Sequence, residues 1–260
     1  MLDSFDLISD LHVDDWDFNW SNKATSRLCV IAGDVSLDRT KLYNTLKHIS
    51  EQYHLVLYID GNEEHRYTYN DLISSYHELD NLIRKIPNVV NMHNNVTTLE
   101  GVAFVGTNGW YSMDYDQRFS TEECMLGMEK NYDISRDVTT EIQARAWSDA
   151  QYMERSISKL QKMPDVKHIV CVTHFLPMGR FIKDDPDMNQ HYRINTSVNN
   201  HMPLVFQVDT EQKIKTWCFG HYHNKVVDQV AYTNFFSNPR GRTGSKWLQD
   251  PYNPLRVEID

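Results

Sequence analysis

Five times along this chain of 260 residues, an apolar run ends in residues of types able to ligate metal ions. The ends read ISDLHVD, VIAGDVS, YIDGNEEH, VCVTHFLP and CFGHYHN. They deliver Asp10 and His12, then Asp34, Asn62, His174, and finally His221 and His223. The runs are rich in β-branched and other apolar residues, the composition of a buried strand. Between the early runs the apolar residues step by three or four. Leu42, Leu46 and Ile49 follow Asp38, and Leu72, Tyr76, Leu79 and Ile83 follow the third run. Strand, loop, helix, strand in that rhythm predicts parallel pairing with right-handed crossovers. Ligands gather at the carboxyl ends of strands in such sheets, which is where these residues fall.

The strands are expected at residues 5–9, 28–32, 54–59 and 168–172, with 96–99 and 102–106 paired around a glycine turn. Ile142, Ala146, Ala150, Met153, Ile157 and Leu160 mark one face of a long helix. Residues 217–259 read as several short strands broken by Asn, Gly and Pro. With no repeat or linker in view, the expectation is one α/β domain over 1–260 with a helical insertion around 110–162. Helices should flank a strand-rich core.

The formal net charge is −10. That argues against loose binding to nucleic acid, which needs a basic surface. A phosphorylated substrate stays compatible, because bound cations make a site locally positive. Cys29, Cys124, Cys171 and Cys218 form no CxxC pair, and three of them sit in strand-like runs. Free thiols in a reducing cytoplasm are expected, without a disulfide framework. No apolar run approaches the roughly 18 residues of a membrane span, and the first residues read as a strand, not a leader.

At a strand end, Asp10 and His12 are spaced to grip one ion together. Asp34 has two carboxylate oxygens and can bridge two ions; Gly33 lets the backbone approach. Asn62 offers a neutral oxygen, His174 an imidazole nitrogen, and the H-x-H of His221 and His223 one nitrogen to each ion. Two adjacent divalent ions are suited to hydrolysing phosphate esters. Together the motifs D-x-H, G-D, G-N-x-E, a later H and G-H-x-H resemble the calcineurin-like metallophosphoesterase superfamily over nearly the whole chain. The resemblance implies a two-sheet β-sandwich flanked by helices, four layers in the order αββα. It implies Asp10, His12 and His223 on a first ion, Asn62, His174 and His221 on a second, and Asp34 between. The segment SNPRGRTG resembles the N-P-R-G of a bacterial and phage branch. A small phosphorylated substrate follows, such as a nucleotide, a phosphomonoester or a diester. Mn is the first expectation for the metal, with Fe, Zn, Ni or Mg as alternatives.

One position departs from the pattern. Where the superfamily carries a histidine that assists the leaving group, this chain has Glu63. A charged glutamate repels phosphate and donates nothing; only a protonated Glu63 substitutes for that histidine. His65 is the other candidate. The chain then either cleaves esters with good leaving groups, uses Glu63 or His65 as its acid, or binds its ligand without turnover. A nuclease is a further alternative, disfavoured by the charge. Arg240 of N-P-R-G is a candidate phosphate contact, with a structural contact as the favoured role. Trp110, Tyr111, Met113, Tyr115 and Phe119 are expected to pack the long helix onto the core more than to stack on a base. Glu63 and Glu64 are also readable as ordinary exposed acids. His48, His54, His77, His93, His168, His191 and His201 lack ligand spacing, and residues 183–187 read as a solvated loop.

Overall fold

The inner strands of the first sheet are mostly apolar because both of their faces are covered, with Ser4 and Asp6 as buried polar exceptions. In β1 (Ser4–Ile8), β2 (Leu28–Ala32) and β3 (Leu55–Ile59), Phe5, Leu7, Leu28, Val30, Ala32, Leu57 and Ile59 point one way into a shared core. Their alternate neighbours Ile8, Cys29, Ile31, Val56 and Tyr58 point the other way. This is the period of two that a strand imposes. The computed structural model describes residues 2–183 and 192–259, without the side chains of 67–70 and 192.

The first sheet has the order β11-β1-β2-β3-β4, with β4 at Val89–Asn91 and β11 at Leu255–Glu258. Strands β1 to β4 pair in parallel, as the alternating rhythm predicts, and β11 joins antiparallel to β1. Helices α1 (Arg39–Ser50) and α2 (Leu72–Ile83) cover its outer face through Leu42, Leu46, Ile49, Leu79 and Ile83. Asp38 caps α1 by accepting from Lys41 N at 2.8 Å, which satisfies one of the helix's orphan donors.

The second sheet runs β5-β6-β7-β8-β10-β9. Its strands are β5 (Asn95–Leu99), β6 (Val102–Gly106), β7 (His168–Val172), β8 (Ile214–Phe219), β9 (Val226–Val230) and β10 (Thr233–Ser237). The four central strands are parallel and the two edges antiparallel. Val102, Phe104, Val170, Val172 and Cys218 meet the first sheet in the shared core. Ala103, Val105, Ile169, Cys171, Trp217 and Phe219 face outward.

Between β6 and β7 lie α3 (Thr121–Tyr132) and the long α4 (Arg136–Gln161). The C-terminal half of α4 places Ala150, Met153, Ile157 and Leu160 on the second sheet. Its N-terminal half packs Val138, Ile142 and Ala146 against Cys124, Met125 and Met128 of α3 and against Trp110, Tyr111 and Met113. Trp110, Tyr111 and Met113 therefore serve burial, as expected, with Phe119 partly buried against them, whereas Tyr115 is exposed. A short α5 spans Tyr192–Asn195. The architecture is the expected four-layer αββα sandwich. All four cysteines are buried and free. Among the described residues no helix is long and apolar enough to cross a membrane.

Candidate metal centre

The ligand-type residues lie just past the carboxyl ends of β1, β2, β3, β7 and β8. Convergence comes from turns, not from strand alternation. Asp10, His12, Asp34, His221 and His223 all take positive φ, between 44° and 69°. Left-handed backbone costs a non-glycine residue roughly 1–2 kcal/mol. Its concentration on five of the seven candidates fits strain held at a functional site. Gly33, at φ 82°, is required as well, since a Cβ there would collide with the His174 ring. A Cβ on Gly61 would collide with the Asp34 carboxylate.

Two groups result. Asp10, His12, Asp34 and His223 bring ligand atoms within 4.8 Å of one another, and so do Asp34, His174 and His221. Asp34 belongs to both. Asn62 adds its carbonyl oxygen to the second group, 3.2 Å from His174 Nε2 and 2.9 Å from His221 Nδ1. The rings of the H-x-H thus part company, His223 to one group and His221 to the other.

The donor set fits divalent cations. His12 Nε2 and His223 Nε2 face each other at 2.9 Å, an arrangement that needs a proton or a cation between two lone pairs. Asp10 Oδ2 is buried without a hydrogen bond among the described residues, a costly state for a carboxylate oxygen unless a cation serves it. His174 Nδ1 donates to Ala32 O at 2.9 Å, which aims Nε2 at the site. Burial by itself lowers the His174 pKa, but Asp34, then Asp10, outweigh it and carry it to about 10. Asp34 is held far below the carboxylate range: burial opposes this, and the charge and hydrogen bond of His174 overcome it. Burial pushes His221 down to about 3, helped by the His174 charge. Burial also lowers His12 and raises Asp10.

His12, Asp34, Asn62, His221 and His223 of these groups line a cleft of about 640 Å³. Arg66, Lys183, Arg193, Arg242 and Lys246 line it, against the acids Asp34 and Glu63. On a chain of formal net charge −10, five cationic side chains thus line this cleft. Tyr111, Tyr132 and Trp247 add aromatic surface. Tyr132 hydroxyl accepts from Arg193 Nε at 3.2 Å.

Two expectations require correction. Glu63 and Glu64 are buried, not exposed. Glu64 accepts four backbone N–H bonds: from Val35 at 2.6 Å, Gly61 at 2.7 Å, Asp34 at 3.1 Å and Ser36 at 3.3 Å. It staples the loops after β2 and β3 to each other. His65 does not face the cleft. It is fully buried, with Nε2 2.8 Å from Asp60 Oδ2 and Nδ1 2.8 Å from Ser75 Oγ. This has the outline of a Ser–His–Asp triad, but Ser75 is itself fully buried and accepts from Arg39 Nη2 at 3.0 Å. Arg240 takes the structural role favoured for it: it stacks on Trp16, 3.9 Å from the ring centroid, and is not among the residues that line the cleft, so the alternative phosphate contact finds no support.

Arg242, two residues further on, takes the cleft wall instead. Its Nη2 stands 2.6 Å from Glu63 Oε2. Arg66 Nη1 lies 3.4 Å from the same oxygen, and Asn62 Nδ2 donates to Glu63 Oε1 at 3.2 Å. Burial and the Asp34 charge push the Glu63 carboxyl up, while Arg242 and Arg66 pull it down. Sequence reasoning missed Arg242; its one signal was proximity to N-P-R-G. His93 stacks on Tyr76 and His168 bonds Thr216, consistent with core roles. His191 and residues 184–187 lie outside the described residues.

No family model matches the chain. It is 20% identical over 221 residues to "Uncharacterized protein L509" of Acanthamoeba polyphaga mimivirus, covering 80% of this chain and 75% of that one. Its fold is similar to that of phosphopantetheinyl hydrolase (PptH) from Mycobacterium tuberculosis. The TM-score is 0.66 at 16% identity, over 97% of this chain and 95% of the other. A putative 5′-nucleotidase from Staphylococcus aureus superposes with a TM-score of 0.51 at 11% identity, over 98% of this chain and 52% of that one.

Proposed function

We propose that this chain is a metal-dependent phosphoesterase of the calcineurin-like superfamily, in the branch that carries N-P-R-G. It would hydrolyse a phosphate ester or anhydride of a small molecule. The observation that carries the reading is the pair of ligand groups sharing Asp34 on a cation-lined cleft. Asp10, His12 and His223 would hold one ion and Asn62, His174 and His221 the other. Mn suits the mixed oxygen and nitrogen donors, as do Fe, Zn, Ni and Mg. When bound, two such ions supply Lewis-acid activation of water and neutralise phosphate charge.

The chain's own residues do the rest. His174 is oriented by its bond to Ala32 O, and Asp34 by the Glu63 N–H at 2.9 Å. Lys183, Arg193 and Lys246 line the approach for an anion, and cations so placed raise the local concentration of a charged substrate. Tyr111, Tyr132 and Trp247 suit a ring or apolar group attached to the phosphate, such as a nucleoside. The fold shared with a phosphopantetheinyl hydrolase and a putative 5′-nucleotidase supports this reading. Four free, buried thiols support a cytoplasmic setting.

The test is a panel of phosphomonoesters, diesters and pyrophosphates on metal-stripped protein reloaded with single metals. Turnover should require metal and be lost in Asp34→Asn and His174→Ala. Full activity in either variant overturns the assignment. The acidic Glu63, where the superfamily has a histidine, favours one second reading: a ligand-binding protein with little turnover. A large gain of activity in Glu63→His would point that way.

A further inference from the structure

Glu63 leaves the centre without the expected histidine, and the structure places a different group there. The Glu63 N–H donates to Asp34 Oδ1 at 2.9 Å, so its backbone is fixed beside the ligand common to both groups. Its carboxylate meets Arg242 Nη2 at 2.6 Å. A guanidinium has donors only, so Glu63 is the acceptor of that pair. Arg242 Nη1 lies 3.6 Å from Asp15 Oδ2, which gives the guanidinium a second anchor. The backbone holding Arg242 is tied to the first motif as well: Arg240 N donates to Ser9 O and Gly241 N to Asp10 O, each at 3.0 Å. Arg242 and Glu63 line the cleft together with His12, Asn62 and His223.

From this geometry we infer that Arg242, positioned by Glu63, contacts the leaving-group oxygen, and that the site is selective for anhydrides and other weakly basic leaving groups. The inference rests on the phosphoesterase reading. In the step itself, water oxygen bonds to phosphorus and the bond from phosphorus to the leaving oxygen breaks. The bonding pair stays on that oxygen. Arg242 steadies the developing charge by hydrogen bonding and keeps its proton, because guanidinium is not deprotonated in proteins. The attacking water's proton passes to solvent, and the leaving group departs as an anion. A departing phosphate tolerates this, since its conjugate acid has a pKa near about 6. An alkoxide, close in basicity to hydroxide at about 16, does not.

The experiment uses the metal-loaded full chain with p-nitrophenyl phosphate, phenyl phosphate, glycerol phosphate and inorganic pyrophosphate, with bound metal measured for each variant. Wild type should turn over pyrophosphate and the nitrophenyl ester fastest and glycerol phosphate slowest. Arg242→Ala should lose about 10²-fold or more on phenyl phosphate, the scale of one missing transition-state donor, and less than tenfold on the nitrophenyl ester. Added guanidinium should restore part of the loss. Glu63→Gln should lower kcat on phenyl phosphate with little change in KM, and steepen the leaving-group dependence as Arg242→Ala does. An equal loss across all substrates overturns the inference, because Arg242 then only binds phosphate. So does a wild type that cleaves glycerol phosphate as fast as the nitrophenyl ester, which requires a proton donor. Both outcomes leave the phosphoesterase reading standing. A wild type inactive on every substrate with every metal overturns both.

Discussion

Glu64 offers the sharpest test of how the centre is held together. Its Oε1 accepts from Val35 and Ser36 and its Oε2 from Gly61 and Asp34, all backbone donors in the turns that present Asp34 and Asn62. At 2% exposure the carboxylate is closed off from water. Glu64→Ala strands four buried amides, each worth about 1–3 kcal/mol when left unsatisfied. Water entering the vacated space recovers roughly half of them. The expected net cost is about 3–5 kcal/mol, a large part of the 5–15 kcal/mol typical of a folded domain. Glu64→Gln is more informative, because its shape is unchanged. One amide oxygen replaces one carboxylate oxygen, but the NH₂ group then faces two backbone donors. About 2–3 kcal/mol should be lost. The assay is equilibrium urea unfolding of metal-free protein, followed by the fluorescence of the buried Trp20, Trp110 and Trp217. Metal-free protein keeps ligand binding out of the measured stability. Metal affinity, titrated separately, should fall about 10- to 100-fold, as when an outer-shell partner is removed. If Glu64→Gln matched wild type in both measurements, the four-donor staple would be wrong.

Other expectations follow from neighbouring contacts. His223→Ala and His221→Ala belong to different groups, so each should retain one metal equivalent after dialysis; two retained in both variants would refute the division. Asp60 is held down to about 2 against its usual 3.8, since its bond with His65 outweighs the effect of burial. A carboxyl with a depressed folded pKa stabilises the fold above its unfolded value, about 3.8. That stabilisation is lost as pH falls through about 2. At about 1.4 kcal/mol per pH unit, this amounts to about 2 kcal/mol. Asp60→Asn should lose that much at neutral pH and show a flatter decline in acid; an unchanged acid profile would count against it. Arg240→Ala should cost about 1 kcal/mol through its lost contact with Trp16, with turnover changed less than twofold; a tenfold loss of turnover would return Arg240 to the substrate.

What could be read in the sequence divides along the range of the forces involved. Strands 28–32 and 168–172 fall where the apolar runs place them, because burial on both faces removes polar residues from a strand. Strand β4 was missed because three residues carry no period, and α3 because Glu122, Glu123 and Gly127 dilute its apolar face. The seven candidate ligands were legible because they fall just past the ends of five apolar strands, where a local pattern marks them. The leaving-group side follows the opposite logic. His65 looked available two residues from Glu63, but it is turned inward by Asp60 and Ser75. Arg240 takes the structural role favoured for it, on Trp16, and the next-but-one residue, not singled out in the sequence, reaches Glu63. In an irregular loop no period fixes which of two neighbouring arginines faces a cleft. That choice is set by partners distant in sequence, here Trp16 for one and Glu63 with Asp15 for the other. Glu63 therefore reads as a lost acid when taken alone. Paired with Arg242 at 2.6 Å, it holds a permanent cation at the cleft wall, the contact on which the proposed role of Arg242 rests.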